Sequence, residues 1–192
     1  IVVAVPDLAS YGEYRLAPGD VGRLRASYRY LLDEVTVDPE RSGFLGFSAG
    51  GSLTLIAATD SRIASDVEFL ALVGPYSNLR RVVSFAITGA YPRGRGFTRY
   101  DTETLVWQVT RNTILSGLAD EQERSILARI FSGTSPAPVP SVLEQYPDLA
   151  LSDDGRAIYE LFANRDPGAV DGLVARLPVG SRDLLTALSP AS

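Results

Sequence analysis

Apolar positions along the chain follow two periods, and the change from one to the other divides it. Ile1 to Val5 is an unbroken apolar run closed by Pro6-Asp7, the pattern of a strand buried on both faces of a parallel sheet. Leu8 to Gly19 reads as loop, punctuated by Gly12, Pro18 and Gly19. Val21, Leu24, Tyr28, Leu31, Leu32 and Val35 then recur at helical spacing, predicting an amphipathic helix capped by Asp20. A turn at Val37-Asp38-Pro39-Glu40-Arg41 leads into an apolar strand, Gly43 to Phe47. Ser52 to Ala58, rich in small residues, predicts a buried helix packed closely on a sheet, and Asp66 to Gly74 a further buried strand closed by Pro75-Tyr76-Ser77-Asn78. Strands alternating with helices predict an α/β fold in which Ile1 to Phe47 forms a right-handed βαβ unit.

From Leu79 onward that alternation stops. Helical spacing covers Asp101 to Gly117, Asp120 to Phe131, Ser152 to Ala163 and Asp166 to Leu177, with a short final helix from Ser181 to Leu188 before Pro190. Asp120 and Glu123 form a capping-box-like pair, and Asp166-Pro167 places proline at a first helical position. Ser135-Pro136-Ala137-Pro138-Val139-Pro140 reads as a semi-rigid connector. Gly89 to Tyr100 interleaves arginines with aromatics and is expected to be a solvated loop, with a polyanion site as its alternative. Trp107 falls within a helical apolar stripe and is expected to pack internally.

Between the second strand and the following helix lies Gly46-Phe47-Ser48-Ala49-Gly50-Gly51, a G-x-S-x-G sequence. A serine at a sharp strand-to-helix turn has strained backbone angles, and glycines two residues either side let neighbouring backbone approach. Ser48 becomes the candidate nucleophile. The Ala49 N–H, at the start of a helix, becomes a candidate donor to an oxyanion. Gly46, Phe47, Gly50 and Gly51 complete the bend.

These residues resemble the nucleophile elbow of the α/β-hydrolase superfamily. The opening Val2-Val3-Ala4-Val5-Pro6-Asp7 and the helical stretch add a weaker likeness to its dienelactone-hydrolase-like and esterase or peptidase branches. The resemblance implies a partial α/β-hydrolase fold, strands four to six of a mostly parallel sheet, with an all-helical lid insertion. Residues 1–84 would form the core, 85–180 the lid, and 181–192 a return toward a seventh strand. Strand three of that fold would lie upstream of Ile1. The first two predicted strands would then stand apart, or else pair directly. The resemblance also implies an acyl-enzyme hydrolase acting on a small ester, lactone or peptide, with no cofactor.

Composition changes that picture in one respect. The chain has 192 residues, 45% hydrophobic and 21% charged, within the range of an ordinary globular domain. A net charge of −5 argues against a nucleic-acid surface, and no apolar run predicts a membrane span. Cysteine is absent, all cations are arginine, and there is no histidine. A serine hydroxyl needs a base, normally His or Lys, to take its proton. The expectation is therefore an internal fragment, inactive alone, whose triad acid and His lie outside these residues. The alternative is a catalytically dead hydrolase-like binding module. A nucleotide-binding domain is disfavoured because the glycines flank a serine rather than form a phosphate loop. Asp153-Asp154 is the nearest carboxylate cluster for a metal and is better explained as a helix start. No oligomeric state follows, and no compartment, although the cytoplasm is slightly favoured.

Overall fold

A computed structural model describes residues 1–34, 37–133 and 150–191. Val35, the connector Ser135 to Pro140 and the last residue of the return segment, Ser192, lie outside the described residues. The fold is mixed α/β and divides into two compact units. One comprises Ile1–Gly12, Leu16–Leu79 and Thr186–Ser192; the other comprises Glu13–Arg15 and Arg80–Leu185.

In the first unit, α1 (Ala9–Gly12) and α2 (Pro18–Glu34) precede β1 (Gly43–Phe47), α3 (Ser48–Ala58) and β2 (Phe69–Val73). β1 and β2 pair in parallel, Gly43 opposite Phe69 and Phe47 opposite Val73, with α3 as the crossover. Phe44 faces the helical layer, stacking on Tyr28 of α2 with ring centroids 4.7 Å apart. Leu53 and Ala57 of α3, and Ile63 after it, are fully buried. The alternating positions Leu45 and Phe47, with Phe69 and Val73 beside them, leave the opposite sheet face exposed.

Ile1 to Val5 is not a strand. It joins no ladder, and Val2, Val3 and Val5 are exposed. Propensity alone does not hold extended chain: a strand needs a neighbour for its N–H and C=O groups, and β1 finds only β2 among the described residues. Direct pairing of the first run with β1 therefore does not occur, and the βαβ unit runs from Gly43 to Val73 instead. Two further expectations shift. Part of the expected loop after Pro6 is helical, and Asp20 lies inside α2 rather than capping it. Its carboxylate accepts from the Ala17 N–H at 3.0 Å and from the Ser10 hydroxyl, so it serves the helix start from the third position.

The second unit takes in α4 (Leu79–Thr88) from Arg80 on, β3 (Ala90–Arg93), β4 (Gly96–Arg99), α5 (Thr104–Leu115), α6 (Glu121–Ile130), α7 (Asp153–Ala163), α8 (Val170–Ala175) and α9 (Val179–Ala187), whose last two residues belong to the first. Helix α4 was not expected, although Leu79, Val83 and Ile87 are buried at a spacing of four. The region is not all-helical either: β3 and β4 form an antiparallel hairpin where a loop was predicted. Its turn places Gly94, φ +61°, at the first central position, which a two-residue hairpin connection favours. Trp107 is buried as expected, edge-on to Phe162 at 5.6 Å and donating to the Gly133 carbonyl.

Asp120 caps α6 by accepting from the Glu123 N–H at 2.8 Å. The Glu123 carboxylate does not complete a capping box. It is buried and accepts from the Ser152 N–H at 2.5 Å and the Ser152 hydroxyl at 2.7 Å, bracing the residue that caps α7. The helix expected from Asp166 begins only at Val170, because the Asp166 side chain accepts from the Gly168 N–H and holds a turn there. Glu123→Ala should leave Ser152 without its acceptor and destabilise the protein by about 2–3 kcal/mol, measurable as a lower denaturant midpoint at unchanged slope. Glu121→Ala, exposed on the same helix, should change it little.

Candidate active site

β1 passes into α3 without an intervening residue, so one residue must absorb the change of direction. That residue is Ser48. Its φ of +49° lies in the left-handed region, and the only other non-glycine with positive φ among the described residues is Tyr14. Ser48 is exposed and, although it opens α3, its own φ is not helical. For an L residue with a Cβ this conformation is costly, on the order of 1 kcal/mol or more.

Close packing imposes the bend. A Cβ on Gly46 would fall 2.6 Å from Gly51 Cα and 3.0 Å from Gly51 N, so strand and helix touch backbone to backbone. Gly51 is the reciprocal partner, its own Cβ position lying 3.2 Å from the Gly46 carbonyl oxygen and 3.4 Å from Pro75. Gly50 differs from the sequence reading. It was expected to permit close approach, yet the nearest atom to its Cβ position is the Tyr11 hydroxyl at 3.5 Å, an ordinary contact. The tight pair is Gly46 and Gly51.

Phe47 stands at the N-cap of α3 and supplies no side-chain hydrogen bond. Helix geometry leaves the first N–H groups of α3, Ala49 among them, without intrahelical acceptors. Together with the helix dipole they make the ground beside Ser48 favourable to negative charge.

Three neighbours carried no recognisable sequence signal. Ser52, fully buried one turn into α3, donates to the Tyr76 carbonyl at 2.9 Å and accepts from the Tyr76 N–H at 2.8 Å. It thereby fixes the loop that follows β2, where Gly74 has φ +64°. The Tyr76 hydroxyl is buried with no hydrogen-bond partner among the described residues. Tyr11, on α1, sets its hydroxyl against the first turn of α3. Burial, then the nearby Asp20 carboxylate, push Tyr11 up to about 12. Burial likewise raises Tyr76, with Tyr11 adding to the effect. Both phenols are thus held neutral.

Other candidates lie elsewhere. Asp153 and Asp154 occupy the exposed first turn of α7, where negative charge complements the helix dipole. No cluster that could hold a metal occurs among the described residues. An open cavity of about 360 Å³, lined by Ala58, Thr59, Ala64, Val67, Glu68, Phe69 and Leu70, lies at the far end of α3 from Ser48. No described helix is long and apolar enough to cross a membrane. No family model matches the chain, and no curated protein or solved structure matches it.

The two glycines should respond oppositely to a methyl group. Gly46→Ala should destabilise by about 2–3 kcal/mol through overpacking against backbone that cannot withdraw, whereas Gly50→Ala should be neutral or up to about 1 kcal/mol stabilising; urea unfolding of the two variants decides. Tyr11 supplies a pH test. Its folded value is raised above the ordinary value of about 10, so its contribution to stability is full below that pH and is lost as pH rises toward about 12. Tyr11→Phe should flatten this alkaline decline, followed by unfolding midpoints with tyrosinate absorbance as a check.

Proposed function

We propose that the chain carries the nucleophile-bearing part of a serine hydrolase with an α/β-hydrolase-type elbow, acting on a small ester, lactone or peptide. The observation that carries this reading is the exposed Ser48 at φ +49° on a strand-to-helix junction. Attack by Ser48 Oγ on the substrate carbonyl carbon would form a tetrahedral intermediate. The Ala49 N–H would donate to its oxyanion, and expulsion of the alcohol or amine would leave an acyl-serine for water to hydrolyse. No cofactor enters this scheme.

The scheme requires a base that these residues do not contain. With neither His nor Lys in the sequence, no imidazole or amine here can take the Ser48 proton. Tyr11 and Tyr76 are poor substitutes, since both are held in the protonated form. Catalysis would depend on a base supplied from outside the 192 residues. The absence of histidine favours a second reading, a hydrolase-like module retained for binding. The uncapped N–H groups at the α3 start would then hold a ligand's negative group without reaction.

A fluorophosphonate probe separates the two. On the hydrolase reading, the isolated chain should be captured slowly, selectively at Ser48, and faster when imidazole is added; Ser48→Ala should abolish the reaction. Peptide mass mapping that shows Ser48 labelled no faster than exposed Ser61, with or without imidazole, would leave the binding module as the surviving reading. Rapid capture without imidazole would instead overturn the requirement for an external base.

A further inference from the structure

Charge along the chain is unevenly placed. Between Glu68 and Asp101 there are five arginines, at positions 80, 81, 93, 95 and 99, and no carboxylate, although the whole chain carries −5. Three of the five belong to the β3–β4 hairpin and its turn. The base of that hairpin is braced. Arg99 Nη1 donates to the Thr88 carbonyl at 2.9 Å and the Tyr100 N–H donates to the Gly89 carbonyl at 2.8 Å. Gly89 has φ +65°, and a Cβ there would lie 2.5 Å from the Tyr100 oxygen. Beyond this base every residue from Tyr91 to Phe97 is exposed. The side chains of Arg93 and Arg95 have no hydrogen-bond or ion-pair partner among the described residues.

The tip also exposes large apolar surface. Tyr91 is 59% exposed and Phe97 53%, values that distinguish them from the buried aromatics of the same unit. Register and alternation place Tyr91 and Arg93 on one face of the ribbon and Phe97, opposite Pro92, on the other. A ligand laid along one face, as a single strand of nucleic acid would be, meets only half of these groups. A tip dipped into an interface meets all of them at once.

We propose that the β3–β4 tip docks on an anionic lipid surface. Arg93 and Arg95 engage headgroup phosphates and carboxylates, while Tyr91 and Phe97 enter the boundary between headgroups and acyl chains. Aromatic side chains favour that boundary because one part of it is apolar and another wet. Basic residues near an anionic leaflet each add an attraction that salt weakens. This inference does not depend on Ser48 being a nucleophile.

Sedimentation of the whole chain with vesicles tests it. The chain should pellet with mixed phosphatidylserine and phosphatidylcholine vesicles, remain in solution with phosphatidylcholine alone, and release on adding salt. Arg93→Ser with Arg95→Ser should weaken partitioning at least about tenfold, Arg93→Lys with Arg95→Lys should retain it, and Tyr91→Ser with Phe97→Ser should reduce it at constant charge. All six substitutions fall on exposed positions, and far-UV circular dichroism checks that each variant is folded. Failure of the chain to pellet with phosphatidylserine vesicles, or equal partitioning by the serine variant, would overturn the proposal. Binding to a single-stranded oligonucleotide without vesicle binding would overturn it too and reassign the tip to nucleic acid.

Discussion

The first unit depends on backbone meeting backbone where Gly46 of β1 lies against Gly51 of α3. At 2.6 Å from a would-be Cβ to Gly51 Cα, no side chain fits between strand and helix at that level. The helix must therefore start immediately where the strand stops, and the turn falls on a single residue. Ser48 takes the left-handed conformation as the geometric result. Its exposure follows from the same contact, because a residue at the apex of so sharp a bend points away from both elements. Conformational strain and chemical accessibility thus have one cause.

Around that contact the polar groups divide their work. Ser52 is buried and occupied at both donor and acceptor, so it ties α3 to the loop after β2. Ser48, four residues earlier, carries no such duty. Asp20 stabilises the start of α2 from within the helix, while the start of α3 is left without a side-chain cap. The contrast is instructive, since an uncapped helix start beside an exposed hydroxyl keeps N–H groups available to a negative ligand. The two nearby phenols stay neutral to high pH and bring no competing charge.

The second unit is held by different means. Trp107, Phe131, Tyr159 and Phe162 form a chain of ring contacts at 5.1 to 5.7 Å. Glu123 joins α6 to the start of α7 through Ser152, at a level where Gly155 makes room: a Cβ there would lie 2.4 Å from the Glu123 carboxyl carbon. The Glu123 carboxylate caps neither helix itself; it holds Ser152, the residue that caps α7. The tip of the β3–β4 hairpin, by contrast, leaves Tyr91, Arg93, Arg95 and Phe97 exposed.

Sequence by itself determined the elements whose partners are local. The β1–α3–β2 succession, the cap at Asp120, the burial of Trp107 and the placing of Ser48 at a bend all follow from spacing, capping chemistry and glycine pattern within a few residues. Tertiary structure alone decided the rest, because each remaining feature needs a partner distant in the chain. Ile1 to Val5 has the composition of a strand but, among the described residues, no neighbour to complete its hydrogen bonds, and so it stays unpaired and exposed. Glu123 had a local role open to it as a capping-box partner and took a distant one at Ser152 instead. Gly51 rather than Gly50 proved to be the tight glycine, a distinction set by the direction in which each Cβ would point. Tyr11 and Tyr76 reach the neighbourhood of α3 from segments remote in sequence. Periodicity reports which side of an element is apolar; what lies against that side is settled only when the chain closes on itself.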